Sequence, residues 1–582
     1  MEIPQDVFSS IAEILERLYG ADAAAWTDRI AGLVTDFSPP QTTHRDGLWD
    51  QRDVVLITYG DQVRDERHQP LQALRHFLLD HGFDRLFSVV HLLPCFPFTS
   101  DDGFAVKDYR TIDPRLGTWD DVGELNRSFD LMLDLVLNHC SRQHPWFQAY
   151  LAGQKPYDEY FIEVDPATDL SAVVRPRSSP LLTPVETSRG VRYVWTTFSD
   201  DQIDLNYANP AVLTEMLSIL LEYVQRGARI IRLDAIAYLW KRIGTPCIHL
   251  PEAHLVVKLM RRLLDAVAPG TLVLTETNVP HKENISYFGD GDEAHIVYQF
   301  SLAPLLLDAY LSGEARPLMR WLHELCEEDP LPPNTTFLNF TASHDGIGVR
   351  PLEGLVSEER FERLIRAITD RGGLVSTRRN SDGSDTPYEL NITYFDALGE
   401  PEGLTPALHA RRFLSTQAVM LALPGIPAVY FHSLTATPND HEGVKRTGHA
   451  RAINRRRFTR AELDELVGRA GSPQQIVFSE YKRMLDRRIA QPAFHPAADQ
   501  QVIELGDPAL ISFLRYDPAS GQRIWTIANT GRQQRRVDLS ALPEFQPQED
   551  LLSEAAVSPG QRHLTLQGWQ TVWLSDRNAG PG

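Results

Sequence analysis

Short apolar runs alternate with amphipathic stretches along most of this chain. Near the start, Val7, Phe8, Ile11, Ile14, Leu15 and Leu18 recur at helical spacing, and Gly20 follows as a stop. An amphipathic helix is predicted there, its apolar face packed on the body of the same chain rather than on a partner. From residue 54 the pattern becomes regular. Strands are predicted at 54–59, 86–93, 131–137, 229–233, 272–274, 295–300, 335–340 and 428–431. Helices are predicted between them at 70–79, 122–127, 210–226, 253–267 and 407–421, with Gly and Pro as punctuation. Strands alternating with helices in this number predict an α/β fold, a (β/α)8 TIM barrel.

Two long segments interrupt the alternation, at 141–209 after the third strand and at 346–405 after the seventh. Both leave the C-terminal end of a strand, the face where barrel active sites lie, so they read as substrate-shaping insertions. Past residue 492 only short strands remain, at 502–505, 510–516, 523–528, 536–539, 563–566 and 571–574. The expected division is an N-terminal helical segment (1–48), a barrel (49–140, 210–345 and 406–492), two loop-insertion subdomains (141–209 and 346–405) and a small C-terminal all-β domain (493–582).

Composition narrows the function classes. At 42% hydrophobic and 23% charged, the chain has enough apolar material for a large core. A net charge of −21 repels nucleic acid and anionic membranes, so any anionic ligand needs a local cluster of cations. Cys95, Cys140, Cys247 and Cys326 lack metal or disulfide spacing and read as reduced thiols. No basic-then-apolar leader opens the sequence and no apolar run is long enough to span a bilayer. A cytoplasmic protein is expected, with monomer and homodimer both open.

The chemistry gathers at strand ends. Gly227–Ile236 contains an apolar run that closes on Arg232 and Asp234, two residues apart and therefore predicted on one side of a strand. The third strand runs into Asn138 and His139, the fifth into Glu276, and the seventh into His344 and Asp345. Barrel closure brings these ends to one rim. A single such motif is a strand-end ion pair; several in register make a pocket of carboxylates, histidines and an arginine. Two carboxylates facing each other across a glycosidic bond are what glycoside chemistry requires. Arg232 is expected to keep Asp234 ionised, since a neighbouring cation lowers a carboxylate pKa. Glu276 must rest protonated, in less polar or more negative surroundings. His139 and His344 are expected to donate to sugar hydroxyls.

These motifs, in order along the barrel, resemble the α-amylase superfamily of retaining glycosidases and transglycosylases. The resemblance implies that Asp234 is the nucleophile, Glu276 the general acid/base and Asp345 the transition-state stabiliser. Further segments resemble the sucrose phosphorylase group. Thr99–Tyr109 matches its pocket for one glucosyl unit, which implies that Asp101 binds distal hydroxyls and Phe104 forms an apolar wall. Thr196–Asn206 matches its first insertion, with Phe198 and Gln202 on the acceptor side, and Arg451–Arg455 matches a late loop in which Arg451 holds the sugar with Asp101. Arg175-Pro-Arg177 implies phosphate binding by Arg177. Asn138 corresponds to a calcium ligand in many amylases; this group does without the metal, so no metal and no cofactor are expected, and inorganic phosphate is a co-substrate.

The acceptor loop reads Tyr388-Glu389-Leu-Asn391, where sucrose phosphorylases carry Tyr-Gln. Gln to Glu removes a donor and adds a charge, which puts a fructosyl acceptor in doubt and leaves Glu389 to serve hydroxyls. The N-terminal helix, the strand end at Ile57–Asp61 and the run Thr277–Asn284 resemble the longer members of the group, the glucosylglycerate phosphorylases. A retaining α-glucosyl phosphorylase acting on glucosylglycerate is therefore expected, a glycosyltransferase-type enzyme with small-molecule partners. Arg177, His281 and Lys282 are the cations available to a glycerate carboxylate. Phosphorolysis of sucrose or sucrose 6′-phosphate, hydrolysis of α-glucosides and a non-catalytic barrel are the alternatives; barrels of the last kind lack the carboxylates.

Overall fold

The computed structural model describes residues 4–39, 47–327, 330–380, 383–400 and 402–576. Residues 1–3, where the leader expectation begins, and 577–582 of the expected C-terminal domain lie outside them.

Eight parallel strands close into a barrel: β1 (Val55–Thr58), β2 (Val89–Leu92), β3 (Asp130–Leu135), β4 (Ala228–Leu233), β5 (Leu272–Thr275), β6 (Ile296–Tyr298), β7 (Thr336–Phe340) and β8 (Ile426–Tyr430). Each strand pairs with its neighbours in sequence, and β8 returns to β1. Nearly every strand residue is buried, because helices cover the outside and side chains fill the inside. That is why these strands read as continuous apolar runs rather than alternating ones.

The register matters to the site. Arg232 on β4 lies opposite Asp134 on β3 and Leu274 on β5. Strand β4 ends at Leu233, so Asp234 stands one residue beyond it and is not on a common strand with Arg232 as expected. Strand β7 ends at Phe340, which places His344 and Asp345 on the following loop.

The N-terminal helix Gln5–Tyr19 buries Ile11, Ile14 and Leu15 and packs on the following helix Ala23–Thr35 and the barrel helix Pro251–Val267. Tyr19 Oη donates to the Tyr207 carbonyl at 3.0 Å, fastening it to the body of the same chain. Helix Leu302–Ser312 escapes the periodicity because it is buried all round and shows no polar face to mark it.

The segment after β3 holds the antiparallel hairpin Leu182–Thr187/Gly190–Trp195 and rejoins the barrel where Gln202–Asp204 pairs with His139–Ser141. The segment after β7 holds the helix Glu358–Asp370 and a three-stranded sheet of Ile347–Gly348, Asp385–Asn391 and Leu374–Arg379. The C-terminal strands form a six-stranded sheet beside the pair Arg535–Asp538/His563–Leu566. Its first strand is Asp499–Val502, ahead of the predicted 502–505. Glutamines at 500 and 501 hide this edge strand from an apolar search, while Gly506 turns the chain away just past the apolar residues. No helix among the described residues is long and apolar enough to cross a membrane. Cys95, Cys140, Cys247 and Cys326 form no disulfide among the described residues.

Candidate active site

The C-terminal rim of the barrel encloses a cavity of about 950 Å³ including its open mouth. Asp234, Glu276 and Asp345 line it together with Arg232, His139, His344, Asp101, Phe104, Phe198, Gln202, Arg177, Tyr388, Glu389 and Arg451, so it brings together the catalytic, sugar-binding and phosphate-binding residues expected from the sequence.

Arg232 is the hub. Its guanidinium donates to Asp134 Oδ1 and, at 2.8 Å, to Asp234 Oδ1, and it lies 4.0 Å from Glu276 Oε2. Its charge also lies over the rings of Phe104 and Tyr298, at 5.7 and 5.6 Å. Asp134 is in turn held by His91 Nε2 at 2.7 Å. Burial works against the charged form of Asp134, yet His91 and Arg232 overcome it and hold the carboxyl at about 2. Arg232 is thus shared, and this overturns one expectation. Burial, reinforced by the charge of Asp134, outweighs Arg232 at Asp234 and raises that carboxyl to about 6. Glu276 is raised further, to about 7: burial dominates, Arg232 opposes it, and the charges of Asp234 and Asp345 add to it. Burial thus raises both carboxyls, and Glu276 keeps its proton to the higher pH, the order glycoside chemistry needs.

Ala235 stands between them. It follows Asp234 in the left-handed region at φ 51°, and its N–H donates to Glu276 Oε2 at 3.0 Å. A non-glycine residue held there is strained by about 1–3 kcal/mol, and such strain persists where the surroundings over-determine it.

Asp345 is set apart electrostatically. Burial opposes its charge, but Arg451 at 2.5 Å and Arg455 hold it well below the usual carboxylate range. His344 stacks on Phe104, centroids 4.8 Å apart and nearly coplanar, and burial lowers it to about 3, so the ring is neutral. His344 Nδ1 is buried without a hydrogen-bond partner. His139 and Gln202 both bond the Phe104 carbonyl, at 2.9 and 3.3 Å.

That wall rests on a tight turn. Asp101, Asp102 and Gly103 are successive left-handed residues, and a Cβ at Gly103 would meet the Pro94 carbonyl oxygen at 2.8 Å, so only glycine fits. The cation facing the turn is Arg455, 3.4 Å from Asp101 and 2.8 Å from Asp102. Arg451, expected to hold the sugar with Asp101, pairs with Asp345 and Glu389 and lines the same cavity as Asp101. Sequence reasoning gives Arg455 no role although it closes the same segment; nothing in an arginine-rich run says which member turns inward.

Glu389 is the second partner of Arg451. Its Oε1 accepts from Arg451 at 2.7 Å and from the Gly346 N–H at 3.1 Å, and its Oε2 accepts from Arg451 at 3.1 Å. With 3% of its side chain exposed, this carboxylate is paired with Arg451 at the cavity wall. Tyr238, missed in the sequence, packs edge-on to Phe198 at 5.6 Å, and Arg177 lies over Phe198 and Tyr388 at 6.0 and 5.6 Å. His281 and Lys282 do not line the cavity; His281 packs beside Phe337.

Just below the rim, the Lys241 ammonium sits 2.5 Å from Asp204 Oδ2 and 2.7 Å from Asn138 Oδ1, all three side chains buried. It joins the end of β3 to the returning strand of the first insertion.

The family described as "Alpha amylase, catalytic domain" matches residues 84–345. The chain is 43% identical over 580 residues to a glucosylglycerate phosphorylase of Spirochaeta thermophila, covering 97% of this chain and 98% of that protein. It is 49% identical over 497 residues to a glucosylglycerate phosphorylase of Allomeiothermus silvanus, covering 85% of this chain and 88% of that one. The crystal structure of sucrose 6F-phosphate phosphorylase from Thermoanaerobacter thermosaccharolyticum superimposes with a TM-score of 0.70 at 27% identity, covering 82% of this chain and 94% of that one. With its carboxylates on the rim of a closed eight-stranded barrel and relatives of this identity over nearly its full length, the chain belongs to the α-amylase family, in the group of the glucosylglycerate phosphorylases.

Proposed function

We propose that this protein is a retaining α-glucosyl phosphorylase that converts glucosylglycerate and inorganic phosphate to α-glucose 1-phosphate and glycerate. The observation that carries the reading is geometric: two buried carboxyls flank one guanidinium, Asp234 at 2.8 Å and Glu276 at 4.0 Å from Arg232, and burial raises both, Asp234 to about 6 and Glu276 to about 7. The relatives named as glucosylglycerate phosphorylases support the choice of donor.

In the first step the ionised Asp234 attacks C1 of the glucosyl unit from the β face while Glu276 gives its proton to the leaving oxygen. Asp345, held anionic by Arg451 and Arg455, offsets the positive charge that develops at C1. The glucosyl unit packs on the wall of Phe104, with His344, His139 and Asp101 on its hydroxyls. In the second step phosphate, held by Arg177, attacks C1 and passes its proton to Glu276; two inversions give net retention. No cofactor takes part, and the enzyme works in the cytoplasm as a monomer or homodimer.

The test is release of α-glucose 1-phosphate from phosphate plus glucosylglycerate, sucrose, sucrose 6′-phosphate or glucosylglycerol. Preference for glucosylglycerate is the expected result. Preference for sucrose would keep the mechanism and discard the acceptor; free glucose at a rate independent of phosphate would make the protein a hydrolase.

A further inference from the structure

Three guanidinium groups line the cavity, those of Arg177, Arg232 and Arg451. Two of them are neutralised. Arg232 is matched by Asp134 and Asp234, and Arg451 by Asp345 and Glu389. The two histidines of the cavity are depressed by burial and bring no charge. Arg177 alone has no carboxylate partner among the described residues. It is held by the faces of Phe198 and Tyr388, which position a cation without cancelling it. Its neighbour Arg175 folds back on the Ser179 carbonyl and does not line the cavity. Beyond Tyr238 the next cation, Arg350, lines an adjoining groove and lies 3.6 Å from Glu283.

The reaction proposed above brings two different anions to this cavity, in a molecule whose net charge is −21. One unmatched cation can serve one anion at a time. Double displacement makes that sufficient, because the acid leaves before phosphate arrives.

We propose, on the strength of that reading of the function, that Arg177 is a single anion subsite used twice: it holds the carboxylate of a small hydroxy acid in one half-reaction and phosphate in the other. The acceptor class is then small hydroxycarboxylates, of which glycerate is one member, and neutral polyols of equal size are poor acceptors because they leave Arg177 unpaired. In the transfer itself the acceptor hydroxyl oxygen forms the new bond to C1, the bond between C1 and the Asp234 carboxylate breaks, and the hydroxyl proton goes to Glu276. The acceptor carboxylate is bound and unchanged.

The experiment uses α-glucosyl fluoride as a donor that carries neither anion, with D-glycerate, L-lactate, glycerol, propane-1,2-diol, fructose and phosphate as acceptors. The wild-type enzyme is expected to favour glycerate over glycerol, and lactate over propanediol, by roughly 100-fold in kcat/KM, the scale of a lost charge-assisted bond in a dry site. Arg177→Gln is expected to collapse both ratios and to lower transfer to phosphate by a comparable factor, and Arg177→Lys to recover part of all three. The inhibition constant of glucose, measured on each variant, reports that the sugar pocket is intact. If Arg177→Gln loses phosphate transfer but keeps the preference for glycerate over glycerol, the two anions have separate sites and the proposal is overturned while the donor assignment stands. If the wild-type enzyme transfers to fructose and not to glycerate, the donor assignment fails and the proposal fails with it.

Discussion

The N–H of Ala235, the residue after Asp234, donates to Glu276 Oε2 at 3.0 Å. The turn that presents one carboxylate thus orients the other, and with Oε2 occupied, the proton of Glu276 resides on Oε1. The donor step needs Asp234 ionised and Glu276 protonated. Its kcat/KM should therefore fall as pH drops through about 6 and again as pH rises through about 7, a narrow bell. The two limbs belong to the pair rather than to either group. Glu276→Gln should lose roughly 10²–10⁴-fold on glucosides with poor leaving groups. On α-glucosyl fluoride, which needs no proton, the variant should turn over measurably and its alkaline limb should be gone.

The same burial has a stability consequence. A carboxyl raised from an ordinary 4.5 to about 7 binds a proton in the folded state that the unfolded chain has already released. The stability it contributes is fully present below pH 4.5 and is lost as pH rises through about 7. Glu276→Gln, which never ionises, should be more stable than the parent, by on the order of 3 kcal/mol at pH 8 and by much less at pH 5. Denaturant midpoints at the two pH values measure this; an equal or inverted gap would show that Glu276 is not held protonated by its surroundings.

Glu389 shares Arg451 with Asp345. Removing its charge leaves Arg451 to bear on Asp345 alone and adds net positive charge to the cavity. Glu389→Gln should lower kcat roughly tenfold, the effect of about 1.4 kcal/mol at the transition state, and should lower rather than raise the KM for phosphate. An acceptor-binding role would instead raise the KM for the acceptor and leave phosphate untouched.

Lys241 neutralises Asp204 where neither is exposed by more than 3%. Breaking such a pair from one side leaves a buried charge and costs about 3–5 kcal/mol. Lys241→Met should lower the unfolding midpoint accordingly, and Lys241→Met combined with Asp204→Asn should recover much of the loss, since the stranded charge is then removed as well.

Much of the barrel and of its rim is legible in the sequence. Barrel strands buried on both faces are apolar runs flanked by glycine and proline, so their order and number stand out, and the residues that break those runs at the rim are the ones lining the cavity. Pairing is not legible in the same way. Arg232 reads as the private partner of Asp234, but the register of β3 on β4 places Asp134 beside it as well. Arg451 and Arg455 sit four residues apart in one short segment, and which carboxylate each meets depends on loops from the far side of the barrel. Helix Leu302–Ser312 is hidden for a different reason: with no polar face it offers no period to detect.

The ammonium between Asn138 and Asp204 has a meaning beyond its ion pair. A cation tethered to the backbone cannot be stripped by a chelator, diluted away or exchanged for another. By writing the positive charge into the chain, the protein makes the seam between barrel and insertion indifferent to the ionic medium in which it has to work.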